Sequence, residues 1–266
     1  MSVPASLVKE LRDQTGAGMM DAKRALEDSS GDLDAAKRLL RERGVAQAAK
    51  RAGRETTQGT ILTAISGEVG TMVAVGCETE PVSNNDEFIA FAEQVLEAVI
   101  ERGTDAVAEL EQQRTKLIAL LGENVEIIGA ARLEEAGEGE TLGEYVHPSP
   151  TNKIGVLVRV RGDNPSEARR LAMHVSFAAP RFLTRDRVPP EVLAEERDVY
   201  AAQPEVQSKP ESVREKIVEG MLQKRFFAEN VLADQTWIHD TSLTVAKALD
   251  QAGLEVVEFR RFALAG

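Results

Sequence analysis

The sequence predicts an α+β fold: a small three-helix module at the N-terminus, then two related α+β subdomains, the second carrying a protruding antiparallel helical hairpin. Three observations predict it. The apolar period is helical through the first 45 residues and becomes strand-like from Thr57. One order of strand and helix patterns occurs twice, offset by 84 to 85 residues. Residues 189–227 hold two stretches with apolar positions three and four apart.

In the module, residues 1–45, Leu7, Val8 and Leu11 share one helical face. Met19, Met20, Lys23 and Leu26 follow a break at Thr15-Gly16-Ala17-Gly18, and Leu33, Ala36, Leu39 and Leu40 form a third stripe. Asp32 is placed to cap the third helix and Gly44 to stop it. So small a core is marginal alone, and residues 46–56, Ala-rich with Lys50, Arg51 and Arg54, read as a basic linker that tethers the module.

The first subdomain, residues 57–140, opens with strands at 60–65 and 69–75 joined by a turn at Ser66-Gly67-Glu68. Helical stripes follow at 88–100 and 107–121, then a strand at 125–133. The second subdomain, residues 141–266, repeats the order. Gly143, Tyr145 and Val146 stand where Gly59 opens the first strand, and the strand at 154–158 matches that at 69–75. Leu121-Gly122-Glu123-Asn124 resembles Ala252-Gly253-Leu254-Glu255 at the last helix-to-strand junction. Each unit is predicted to be a small sheet with helices on one face. The hairpin, at about 189–227, has Val192, Glu196 and Val199 on one arm and Val213, Ile217 and Met221 on the other.

Composition narrows the function. With 42% hydrophobic and 29% charged residues the chain is globular. Its net charge of −12 is uneven, +3 through Arg54 and −15 beyond. An acidic body with two Tyr and one Trp lacks the cationic, ring-bearing surface that nucleic acids require, so no direct nucleic-acid contact is expected. The one cysteine, Cys77, excludes an internal disulfide and a cysteine-cluster metal site. No apolar run approaches a membrane span. A cytoplasmic protein with no membrane association is the expectation.

No catalytic constellation emerges. His147, His174 and His239 lie far apart, and His174, in Leu171-Ala172-Met173-His174-Val175, reads as a packed helix histidine. Gly16-Ala17-Gly18 follows a helix and lacks the third glycine of a dinucleotide turn. The acid-rich loop at 134–140 lacks calcium-loop spacing. No cofactor, metal or enzymatic activity is predicted. What remains suits docking. Adjacent Met19 and Met20 cannot both face inward, which leaves a thioether for a partner. The polar stretch from Gly76 to Asp86 reads as a presented loop stiffened by Pro81, with Asp86 capping the next helix.

Residues 11–26, Leu-Arg-Asp-Gln-Thr-Gly-Ala-Gly-Met-Met-Asp-Ala-Lys-Arg-Ala-Leu, closely resemble the N-terminal signature of the bacterial elongation factor Ts family. The likeness continues in order through Gly31-Asp32, Arg43-Gly44, Cys77-Glu78-Thr79, Gly122-Glu123-Asn124, Ala172-Met173-His174-Val175, Lys216-Ile217-Val218-Glu219-Gly220 and Phe259-Arg260-Arg261-Phe262. The resemblance implies a guanine-nucleotide exchange factor for the GTPase elongation factor Tu, with a ubiquitin-associated-like N-terminal module. It implies docking contacts at Leu11, Met19, Met20, Leu121, Gly122 and His147. It also implies a magnesium-dislocating segment at Thr79, Glu80, Pro81 and Val82, where the family's tetrapeptide is Thr-Asp-Phe-Val. The acid is kept here and the aromatic wedge is replaced by proline. That departure leaves an alternative: a holding or structural partner of a GTPase that does not promote exchange.

Overall fold

The computed structural model describes residues 3–134, 137–147 and 153–264. Helices α1 (Ala5–Thr15), α2 (Met19–Asp28) and α3 (Leu33–Arg51) come first. Gly16 ends α1 in the left-handed region at φ +70°, a conformation glycine adopts without strain. Asp32 starts α3 by accepting from the Ala35 N–H at 2.9 Å. Val8, Leu11, Ala22, Ala25, Leu26 and Ala36 close a small core between the three.

Strands β1 (Gln58–Ser66) and β2 (Val69–Cys77) form a hairpin around Gly67, at φ +60°. The one-turn helix α4 (Glu80–Ser83), α5 (Asp86–Arg102), a 3-10 turn (Thr104–Leu110), α6 (Glu111–Leu121) and β3 (Val125–Leu133) follow. The second unit comprises β4 (Glu140–His147), β5 (Ile154–Arg161), α7 (Pro165–Ala178), α8 (Pro190–Ala201), α9 (Pro204–Gln207), α10 (Glu211–Met221), a π-helical stretch (Leu222–Phe227), α11 (Ala228–Asn230), α12 (Val245–Gln251) and β6 (Glu255–Ala263).

Gly44 does not stop the third helix. A Cβ there would lie 3.4 Å from the Ala119 Cβ, so glycine lets α3 settle closely on α6. Arg51 donates to the Ile118 carbonyl at 3.3 Å, and Ala48 packs on the core beneath. These contacts offset the roughly 1 kcal/mol that glycine costs within a helix. The stretch expected as a linker is thus helix as far as Arg51 and rests on the body. A smaller correction concerns α5, whose cap is Asn85, accepting from the Glu87 N–H at 2.9 Å, and not Asp86.

Both sheets are antiparallel, in the orders β1-β2-β3 and β4-β5-β6. Along β2 the residues alternate: Val73, Val75 and Cys77 face α5 and α6 with Phe88, Phe91 and Val95, while Met72 and Ala74 face the other way. In β5, Val156, Val158 and Val160 pack on Leu171, Val175 and Trp237, while Leu157 turns to the opposite face. The two outward faces meet each other: Ile61, Met72, Ala131 and Leu133 bury Leu157 and Leu264. The body is therefore four layers, helix, sheet, sheet, helix.

Glycines set how close the sheets come. A Cβ on Gly155 would stand 2.4 Å from Ile61 Cγ2 and 2.8 Å from Met72 Sδ, and one on Gly129 would stand 2.8 Å from the Phe262 ring. The hairpin has its own core of Tyr200, Val206, Val218, Met221, Leu222 and Phe226. Arg197 meets Glu219 across its arms at 3.6 Å. At its base Arg185 donates to Asp234 at 2.9 Å and lies 4.7 Å over the Phe227 ring. Among the described residues no helix is long and apolar enough to cross a membrane.

Two alanine substitutions of opposite sign test this packing. Gly155→Ala forces Ile61 and Met72 apart and is expected to destabilise the protein by about 1–3 kcal/mol. Gly220→Ala lies within α10 with nothing inside 4 Å of the new methyl group, and is expected to stabilise it by up to about 1 kcal/mol. Urea unfolding midpoints measure both; a neutral Gly155→Ala would contradict the close sheet contact.

Candidate functional site

Cys77, the last residue of β2, pairs with Val125, the first of β3, so the segments beyond them emerge side by side. Thr79 is extended, at φ −130° and ψ 154°, and α4 begins at Glu80. The stretch expected as a presented loop is thus strand as far as Cys77 and then a single helical turn. Proline fits its first turn because N–H groups there have no intrahelical acceptor. Thr79, Glu80 and Pro81 are exposed, whereas Val82 packs on the core of Phe88 and Val95 and anchors the turn.

Two carboxylates clasp this turn to the segment entering β3. Glu123 accepts from the Thr79 N–H at 3.0 Å and from its hydroxyl at 2.6 Å. Glu78 returns the contact, accepting from the Asn124 N–H at 2.6 Å, and lies 3.4 Å from Arg54 Nη1. Asn124, 3% exposed, donates through Nδ2 to the Arg54 carbonyl at 2.9 Å. Three chain segments therefore meet in one knot, and its central bonds are charge-assisted. The Cys77 thiol donates to the Thr79 carbonyl at 3.3 Å. Burial, and next the Glu123 carboxylate, push its pKa up to about 12, so it remains a neutral donor and not a nucleophile.

The predicted docking residues separate. Leu121 and Gly122 end α6 immediately before Glu123, Gly122 exposed at φ +78° and Leu121 packed on the core, so both adjoin the turn. Met19 and Met20 stand on α2, 61% and 57% exposed. Leu11 is fully buried in the module. It supports α2 from within, because α1 turns that face toward Ala22 and Leu26, so its side chain is not on the surface that α2 presents.

His147 stands exposed at the end of β4, with Nδ1 3.3 Å from the Tyr145 hydroxyl. It edges an open groove of about 730 Å³ lined also by Tyr145, Met173, Phe177, Trp237 and Arg261. Phe177 is 81% exposed, and with Tyr145, Met173 and Trp237 beside it the ring belongs to a contiguous apolar lining. His174 holds the groove's wall. Fully buried, it stacks on Trp237 at 5.1 Å between centroids. Its Nε2 lies 2.9 Å from Gln235 Oε1, and its Nδ1 faces the Ile238 N–H at 3.4 Å. Those partners fix a neutral ring protonated at Nε2. Burial lowers its pKa, against the opposing hydrogen bond that its Nε2–H donates to Gln235.

Reasoning from sequence missed the clasp and the groove. Gly122-Glu123-Asn124 was visible as a motif, but nothing in it tells that Glu123 reaches back 44 residues to Thr79. Phe177 sits in an ordinary helical pattern and gives no signal of exposure. Among the described residues no group of three or more His, Cys, Asp or Glu is placed to hold a metal ion. Part of the acid-rich loop considered for one, residues 135 and 136, lies outside those residues.

Residues 78–266 match the family model described as Elongation factor TS. Curated relatives agree over nearly the whole length. The elongation factor Ts of Psychromonas ingrahamii is 39% identical over 98% of this chain and 90% of its own. That of Thioalkalivibrio sulfidiphilus is 39% identical over 98% and 92%, and that of Escherichia coli 39% over 98% and 90%.

A pH dependence of stability follows from His174. With its folded pKa lowered, the unfolded chain binds the extra proton first. The contribution is present above the unfolded value of about 6.5 and is lost as pH falls from there toward the folded pKa. Urea midpoints measured from pH 8 to pH 5 should decline, and His174→Leu should flatten that decline by up to about 1.4 kcal/mol per pH unit, one proton's worth. An unchanged slope would remove His174 as its source.

Proposed function

The chain belongs to the elongation factor Ts family, and on that premise we propose that it binds the GTPase elongation factor Tu and speeds the release of GDP. The clasped turn at residues 79–82 carries the reading: an exposed acid and a rigid proline held at the end of a sheet, where they can press on a partner without yielding. Met19 and Met20 offer polarizable contact surface on the N-terminal module. The groove beside His147 offers an aromatic surface on the second sheet. Neither lies on the turn, so grip and push belong to different parts of the chain.

Exchange requires only that the factor bind the nucleotide-free GTPase more tightly than the GDP form. GDP then weakens the factor's binding by the same ratio. Here the push is the turn's: Glu80 and Pro81 displace groups around the partner's magnesium and phosphate site. Val82, turned into the core, fixes the turn and makes no part of the wedge. The exposed tip is therefore smaller than an aromatic one.

Release of a fluorescent GDP from the cognate GTPase tests this directly. The protein should raise the rate in a saturable way, and no acceleration at saturation would sink the reading. Replacing both Met19 and Met20 by Ala should raise the half-saturating concentration about tenfold, equivalent to about 1.4 kcal/mol, with little change in the maximal rate. Pro81→Phe should raise that rate or leave it unchanged. A tight complex with equal affinity for the GDP-bound and nucleotide-free forms would instead mark a holding partner, since equal affinity shifts no equilibrium.

A further inference from the structure

We propose that Glu123 is a positioning residue for exchange, holding the turn at residues 79–82 in its working orientation before the partner arrives. The inference rests on the exchange reading and deepens it. Four observations meet at this residue.

Its carboxylate takes two bonds from one residue, the backbone N–H and the hydroxyl of Thr79, at 3.0 and 2.6 Å. Thr79 is the last extended residue before α4, so these bonds fix where the turn starts and which way it points. The contact is reciprocated one residue away on each side, Glu78 accepting from the Asn124 N–H at 2.6 Å. Arg54 closes the knot from the segment that follows α3, lying 3.4 Å from Glu78 while its carbonyl accepts from Asn124.

The tip depends on this support. Thr79, Glu80 and Pro81 are exposed, and among the described residues only Val82 of the four packs on the core. Helix α4 has four residues, far too few to hold its own shape in water. Without Glu123 the Thr79 N–H loses its carboxylate and the turn pivots about Val82. Ordering it then falls to the step in which the gripped partner's nucleotide site is displaced, which weakens the push there. Grip is spared, because Met19, Met20 and the groove at His147 lie on other elements.

GDP release with Glu123→Ala and Glu123→Gln in the full chain tests the proposal against the unaltered protein. Glutamine keeps an oxygen for the Thr79 N–H and an amide for its hydroxyl; alanine keeps neither. The maximal release rate should fall about tenfold or more in Glu123→Ala, as expected from losing charge-assisted bonds. The half-saturating concentration should stay within about twofold, a change too small for a lost grip. Glu123→Gln should recover most of the rate. Hydrogen exchange at the Thr79 amide should quicken in the alanine variant and stay slow in the glutamine one. Should Glu123→Ala fail to fold, Glu123→Asp, one methylene short of Thr79, takes its place. An unchanged maximal rate, or a loss lying wholly in half-saturation, overturns the proposal while the exchange reading stands. If the unaltered protein itself leaves release unaccelerated, it is the exchange reading that falls, and the positioning role with it.

Discussion

The close approach of the two sheets, Gly155 against Ile61 and Met72 and Gly129 against the Phe262 ring, decides which surfaces are left for a partner. Once the sheets meet face to face, each has one remaining face, and the helices α5, α6 and α7 cover those. Among the described residues no broad sheet face is then free. Exposed groups on the body then gather at strand ends and on the elements that leave them: the turn after β2, the end of α6, the end of β4. The glycines matter because a methyl at either position would overlap its neighbour and separate the layers, uncovering apolar surface on both sides.

The same contact explains why part of the fold was legible in the sequence and part was not. Strand positions, the doubled order and the hairpin's helical spacing could be read because each is a local pattern. The meeting of the sheets could not, because two bulges break the period that would have revealed it. In β3, Val75 pairs with Ile127 and Ala74 with Gly129, leaving Ile128 as the extra residue. Val125 and Ile127 therefore face the helices, while Ala131 and Leu133, in the same alternation, face the other sheet. In β6 the extra residue is Val257, after which Phe262 and Leu264 turn to the sheet interface although Val256 faced the helices. A bulge shifts the alternation by one residue and so exchanges the faces. Both repeats place one in the last strand, which makes the pseudo-symmetry structural as well as sequential.

Gly44 shows the opposite failure, a local signal overridden from a distance. By local preference a glycine after a helical stripe ends the helix. Here the space beside Ala119 makes the missing side chain an advantage, and α3 continues until Arg51 reaches the Ile118 carbonyl. Exposure in the N-terminal module was legible to a similar degree. Met19 and Met20 were readable because neighbours cannot share one helical face. Leu11 belongs to the same signature but to the buried side, so a motif's boundary does not mark out which of its members reach the surface.

Proline at position 81 makes more sense beside the clasp than alone. A phenylalanine wedge works through volume, and burying such a ring is worth about 1.5–3 kcal/mol. A proline brings less surface but also less freedom, with φ fixed and a ring that cannot rotate away. Its neighbours remove what freedom remains: Thr79 is held by Glu123, Val82 is seated in the core, and the Ser83 and Asn84 side chains both donate to the Glu80 carbonyl, at 2.8 and 3.0 Å. Nearly every group around the tip is committed in the free chain, so on the exchange reading contact energy is not spent on ordering it. Rigidity can thus stand in for size only if the knot is intact, and on that condition the missing ring and the glutamate clasp belong to a single design.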